Sequence, residues 1–152
     1  MTSTVKFLRE INISYKKKPV TTDAPIDVPL TDPRKVFDLF SDMQNEMKEK
    51  LISISLDAKQ KIISYEVVAM GSVHAITVNP FDLFRSAIVV GAAGMILVHN
   101  HPSGDPTPSE SDRNMTRLVG DYGRDGGIKL IDHIIIGDNR YYSFTAGKEY
   151  QC

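Results

Sequence analysis

Residues 98–112, Val-His-Asn-His-Pro-Ser-Gly-Asp-Pro-Thr-Pro-Ser-Glu-Ser-Asp, hold the side chains best suited to chemistry. His99 and His101 stand two apart where a short apolar run ends, and strand parity points both to one side. Both imidazoles can then reach one ion. Imidazole is a good zinc ligand at ~2.0–2.1 Å, and a carboxylate completes the set. Asp112 lies eleven residues beyond His101, across a loop rich in turn formers, so the chain can double back to the histidines. Three protein ligands are typical of catalytic zinc, which leaves its fourth position to water. The ion lowers the pKa of that water toward ~7 and polarises a carbonyl. A carboxylate base must then accept the water's proton. Each part alone has a plainer reading. Histidines also cap strands and bond to backbone. Ser109-x-x-Asp112 is a helix capping box. Capping and ligation can coexist, with Ser109 closing the helix while Asp112 turns to the metal.

The elements that must position these residues can be read outward from them. Gly94–His99 is a short apolar run that suits a buried strand, and Asn100–Pro108 is a loop. A helix starts at Ser109, carries Met115, Leu118, Val119 and Tyr122 on one face, and ends at Gly126-Gly127. Ile128–Ile136 is the most β-rich run, and Tyr141–Phe144 returns after the turn Gly137-Asp138-Asn139-Arg140. Upstream, Thr31-Asp32-Pro33 opens a helix expected to reach about Lys48, with Val36, Phe37, Phe40, Met43 and Met47 facing the core. Leu51–Leu56 and Ile62–Met70 form a hairpin about Asp57-Ala58-Lys59-Gln60. Val73–Val78 reads as a further strand, and Asn79-Pro80 opens a helix from Phe81 to about Val90. The first residues alternate (Val5, Phe7, Ile11, Ile13, Tyr15) as an edge strand, and prolines make 16–33 an extended connector. The expectation is an N-terminal strand and arm over 1–30, then one domain over 31–152. Its class is α/β, a mixed sheet flanked by helices in an α+β sandwich.

The totals narrow the function classes. A net charge of -1 gives no strong pull toward nucleic acid or anionic membrane. The one cysteine, Cys152, allows neither an intrachain disulfide nor a cysteine-based metal site. No apolar stretch suggests a membrane span or a signal peptide, which leads to an expectation of a cytoplasmic protein.

The pattern His-x-His-Pro-x(6)-Ser-x-x-Asp resembles the JAMM motif of the JAB/MPN metallopeptidase domain. His-Asn-His-Pro-Ser-Gly-Asp-Pro-x-Pro-Ser, Asp132-His133-Ile134-Ile135-Ile136-Gly137 and Tyr141-Tyr142-Ser143-Phe144 are similar to the RadC-like branch. The resemblance spans roughly residues 32–147. It implies a mixed sheet with flanking helices, related in shape to cytidine deaminases. It also implies one zinc ion per chain on His99, His101 and Asp112, with Ser109 helping to stabilise a tetrahedral oxyanion. Iron, cobalt or nickel could fill the same ligand set. The family's acid/base glutamate falls on Glu49, just before the strand ending in Leu56-Asp57. From the residues alone, Glu46, Glu66 and Glu110 are equally ionisable, and Glu46 is the nearest competitor. Asp132 and His133 match the family, as turn or sheet hydrogen-bonding residues or as partners of the metal ligands. Asn79-Pro80-Phe81 departs from the branch's usual His-Pro-Arg without touching the ligands.

Three functions compete. The first is a zinc metallopeptidase or isopeptidase acting on a peptide or protein substrate. The second is a DNA repair or processing factor, suggested by the branch's name and opposed by the charge balance. The third is a non-catalytic binding module that keeps its metal for stability.

Overall fold

A computed structural model describes residues 27–71 and 78–152. The edge strand expected near Val5–Tyr15, most of the connector and nearly all of Val73–Val78 lie outside the described residues.

Helix α1 spans Pro33–Phe40 and is capped by Asp32, whose carboxylate accepts the Arg34 N–H. Strands β1 (Glu49–Leu56) and β2 (Ile62–Gly71) form the hairpin. Helix α2 (Pro80–Val89), capped by Asn79, leads to strand β3 (Gly94–Asn100). Helix α3 (Glu110–Gly126) connects β3 to strand β4 (Lys129–Ile136), and strands β5 (Arg140–Ser143) and β6 (Lys148–Gln151) complete the chain. The strand order is β2-β1-β3-β4-β5-β6. Among the described strands only β3 and β4 run parallel, with α3 as their connection; the other neighbours are antiparallel. This is the expected mixed α/β sheet flanked by helices.

Alternation along the strands divides the core in two. Ile52, Ile54, Ile96, Val98, Ile134 and Ile136 face α1 with Val36 and Phe37. Leu51, Met95 and Leu97 face the other way, against Leu83, Phe84 and Ala87 of α2 and Val119 of α3. The odd-numbered residues of β3 therefore point toward α2 and α3, and His99 continues that row. One irregularity matters for the site. Met95 pairs with Leu130 but Ile96 pairs with Asp132, so Ile131 is an extra residue, a β-bulge in β4.

Three expectations need correction. The first helix does not reach Lys48: α1 stops at Phe40 and Ser41–Asn45 form a 3-10 turn. Strand pairing wins here, because Glu49 is already laddered to Gly71 and the preceding residues must turn into the sheet. Met47, expected in the core, is 87% exposed as a result. The face of α3 is also narrower than expected. Val119 is buried, but Leu118 and Tyr122 are exposed. The helix packs through Val119 and Gly123, and a Cβ on Gly123 would stand 2.3 Å from the Ile128 carbonyl oxygen. Such a close approach rolls the neighbouring large residues outward, where Tyr122 meets Phe81 of α2. Strand β6, Lys-Glu-Tyr-Gln, was not expected. It carries little apolar pattern because it is a charged edge strand, paired to β5 through a turn with Gly147 at φ 66°.

Candidate metal centre

Strand β3 delivers His99, and the parallel ladder extends just past its end, where the His101 N–H donates to the Ile136 carbonyl at 2.9 Å. The two imidazoles thus share one side, with their Nε2 atoms 3.0 Å apart. The chain then turns at Gly104, in the left-handed region at φ 79°, whose N–H donates to the His101 carbonyl. Asp105 holds the Thr107 N–H and hydroxyl, and the buried Pro106 and Pro108 carry the chain to α3.

At the first turn of α3 the capping box forms as a local necessity. Ser109 Oγ accepts the Asp112 N–H, while Asp112 Oδ2 accepts both the Ser109 N–H at 2.7 Å and the Ser109 hydroxyl at 2.6 Å. This fixes the Asp112 carboxylate so that Oδ1 stands 3.2 Å from His99 Nε2 and Oδ2 3.4 Å from His101 Nε2. Capping and convergence on the histidines therefore coexist in one side chain.

The donor set fits a metal ion. Ligands at ~2.0–2.1 Å in a tetrahedron stand about 3.3 Å from one another; here the imidazole Nε2 atoms are 3.0 Å apart, Asp112 Oδ1 is 3.2 Å from His99 and Oδ2 is 3.4 Å from His101. His101 Nδ1–H donates to the Asp105 carbonyl at 2.8 Å, which leaves the Nε2 lone pair facing Asp112. His99 and Asp112 are buried, so their convergence leaves acceptors with little water to satisfy them. The electrostatics agree. Burial raises the Asp112 carboxyl, but His101 and His99, which donate to it when protonated, and the Ser109 hydroxyl outweigh burial and hold the group well below the usual carboxylate range. Burial lowers His101, yet the bond its protonated form donates to Asp112, the bond to the Asp105 carbonyl and the charges of Asp112 and Glu49 raise it overall. The region attracts positive charge, and His99, His101 and Asp112 could hold a metal ion.

The centre sits in a cleft of about 560 Å³ between α2, α3 and the end of β1. Glu49 is the first residue of β1, not a helix end, and lines this cleft; Ser109 lines it too. Glu46 turns away and bonds Lys50 Nζ at 2.5 Å, Glu66 pairs with Arg85, and Glu110 is exposed at the start of α3. The placement of Glu49 is secured by a residue that sequence reasoning passed over. Asn100, 1% exposed, accepts the Lys50 N–H at 2.8 Å and donates to the Lys48 carbonyl at 3.1 Å. Its amide grips both peptide neighbours of Glu49.

A family model of the RadC-like JAB domain matches residues 30–150. The chain belongs to the RadC-like JAB domain family. It is 44% identical to a "UPF0758 protein" of Methanosarcina mazei over 115 residues, covering 75% of this chain and 50% of that relative. A "UPF0758 protein" of Trichlorobacter lovleyi is 43% identical over 116 residues, 76% of this chain and 50% of the relative. One of Clostridium perfringens is 42% identical over 130 residues, 85% of this chain and 56% of the relative. The chain spans about half the length of the curated relatives it matches.

In this RadC-like JAB domain the pair Asp132-His133 divides its labour. Asp132 is structural: its carboxylate accepts the His133 N–H, the Ser143 hydroxyl and the Thr145 N–H, and so ties β4 to the turn after β5. His133 is fully buried, stacks on Phe144 at 4.8 Å and places Nε2 2.8 Å from His99 Nδ1. Thr116 of α3 also reaches this ring. Thr116 carried no signal in the sequence, since a threonine inside a helix has no mark of function. Asn100 was visible only as the residue between two histidines. Among the described residues no helix is long and apolar enough to cross a membrane.

Proposed function

We propose that this RadC-like JAB domain is a zinc-dependent hydrolase of amide bonds, a metallopeptidase or isopeptidase acting on a peptide or protein in the cytoplasm. The observation that carries the reading is the meeting of His99, His101 and Asp112 in a cleft whose wall also bears Glu49. Those three residues would hold the ion. When bound, zinc supplies Lewis acidity, which lowers the pKa of water toward ~7 and polarises a carbonyl.

The chain's own groups supply the rest. Glu49, on the row of β1 residues that faces the site, takes the proton of the attacking water and returns it to the leaving amine. The Asn100 grip on Lys48 and Lys50 holds that carboxylate at the cleft mouth. Ser109 has one hydroxyl proton, which rests on Asp112 Oδ2. Turning it to a developing oxyanion exchanges one charge-assisted bond for another, made where the reaction's negative charge builds up. Leu51, Leu83 and Met115 give the cleft an apolar wall that excludes water from the reacting bond.

The test begins with metal content by elemental analysis of wild type, His101→Ala and Asp112→Ala. About one zinc per chain in wild type, absent from both variants, is expected. A peptide and isopeptide substrate screen follows, with Glu49→Gln expected to lose turnover by ~100-fold or more and Glu46→Gln to retain it. A chain that takes up no zinc defeats the hydrolase reading. Bound zinc with no cleavage of any substrate class favours the metal-stabilised binding module instead.

A further inference from the structure

The hydrogen bonds behind His99 form a line whose proton positions can be deduced. It begins at an ordinary helical feature: the Thr116 hydroxyl lies 2.6 Å from the Asp112 main-chain carbonyl, four residues back in α3. A carbonyl can only accept, so Thr116 must donate there. A hydroxyl has one proton, so toward His133 Nδ1, 2.7 Å away, the same oxygen can only accept. His133 therefore carries its proton on Nδ1 and presents a lone pair at Nε2. That lone pair faces His99 Nδ1 at 2.8 Å, so His99 Nδ1 must donate. His99 is then left with its lone pair on Nε2, the atom beside Asp112 Oδ1 and His101 Nε2.

We propose that Thr116 and His133 form a tautomer lock, which keeps His99 Nε2 free of its proton and aimed at the metal position. The lock rests on the reading of His99 as a ligand. It starts from the Asp112 backbone, so the residue that supplies the carboxylate also sets, through two side chains, the proton position on a histidine opposite it. Among the described residues the His133 ring nitrogens bond only Thr116 and His99. His133 is 0% exposed, and Phe144 stacks parallel to its ring within 7°. Both residues are positioning residues; neither faces the cleft.

Long-range proton–nitrogen correlation spectra of the full chain, labelled at histidine and stripped of metal, read each tautomer directly. In wild type both His133 and His99 are expected to be protonated on Nδ1. Thr116→Val removes the acceptor with little change of shape, freeing His133 to place its proton on Nε2 and drive His99 to do the same. The variant is expected to show that shift and to bind zinc ~10–100-fold more weakly in competition with a chromophoric chelator, the usual cost of losing such an outer partner. Thr116→Ser is expected to restore both. Wild-type spectra with His99 protonated on Nε2 overturn the proposal even if no variant folds. So does zinc binding that Thr116→Val leaves unchanged. If the spectra are as expected but the protein takes up no zinc, the lock stands and the metal reading fails.

Discussion

Asp112 uses its two carboxylate oxygens differently, and two substitutions should separate them. Oδ2 closes the capping box on Ser109, while Oδ1 faces His99 Nε2. Asp112→Ala removes both. A lost cap costs about 1 kcal/mol, and a negative charge lost from the first turn of a helix adds about 0.3–1 kcal/mol. The metal-free variant should therefore be destabilised by about 1–2 kcal/mol, or a melting point lower by about 2–8 °C in a chain of this size. Asp112→Asn keeps a carbonyl oxygen that can still accept the Ser109 N–H. It loses the charge, and in that orientation it turns an amide NH2 toward His99. Its metal-free stability should fall by only about 0.3–1 kcal/mol. Zinc affinity should fall in both variants by more than the ~10–100-fold typical of an outer partner. Thermal melts in chelator give the first quantity, and chelator competition gives the second. The reasoning is refuted if Asp112→Asn keeps wild-type zinc affinity. It is equally refuted if the two variants lose the same stability without metal.

Three further outcomes are expected. Asn100→Ala takes the partner from the Lys48 carbonyl and the Lys50 N–H at a partly buried position and should cost about 1–3 kcal/mol in chemical denaturation; a loss under 0.5 kcal/mol would mean that water replaces the amide. Gly137→Ala would place a Cβ 2.5 Å from the Gly104 carbonyl oxygen and 2.7 Å from Pro106 Cδ. Neither atom is on a flexible side chain, so the loop bearing Asp105 must move; a loss of about 1–3 kcal/mol with weaker zinc binding is expected, and unchanged chelator competition would argue against the loop's part in orienting His101. Burial raises the Tyr141 phenol to about 12, helped by the nearby charges of Asp32 and Cys152. A raised acid stabilises the fold fully below the ordinary tyrosine value near 10, and that contribution is lost as pH climbs from about 10 to about 12. Denaturation at pH 9 and pH 11 should show a loss of about 1 kcal/mol in wild type that Tyr141→Phe escapes.

The cluster that could hold a metal was legible because it is local: two residues on one strand parity and a third at a helix start, joined by a loop whose prolines and glycine announce it. Glu49 was not legible from residue type, since three other glutamates serve as well; it came from the family resemblance. Its place depends on β1 pairing with distant strands and on Asn100, neither of which leaves a local pattern. The end of α1 was misjudged for the same reason, because strand pairing at Glu49 overrode a helical spacing that ran on through Met47. His133 shows the limit most sharply. Counting by twos from Leu130, which packs on the α2 and α3 side, puts His133 on the opposite face. The bulge at Ile131 reverses that parity and brings the ring under His99. A bulge is a tertiary event, and alternation alone cannot reveal it.

The tripeptide His99-Asn100-His101 makes the spacing of the site a single mechanical part. Its outer residues reach one way toward the metal position, and its middle residue grips the peptide groups on either side of Glu49. A displacement of this short span, whether by an incoming chain in the cleft or by strain in the loop beyond, moves both sets together. For anyone redesigning the pocket, the proposed ligands and the proposed base are therefore not separate dials. Widening the gap between them means rebuilding the junction of β1 and β3, and exchanging one side chain will not do it.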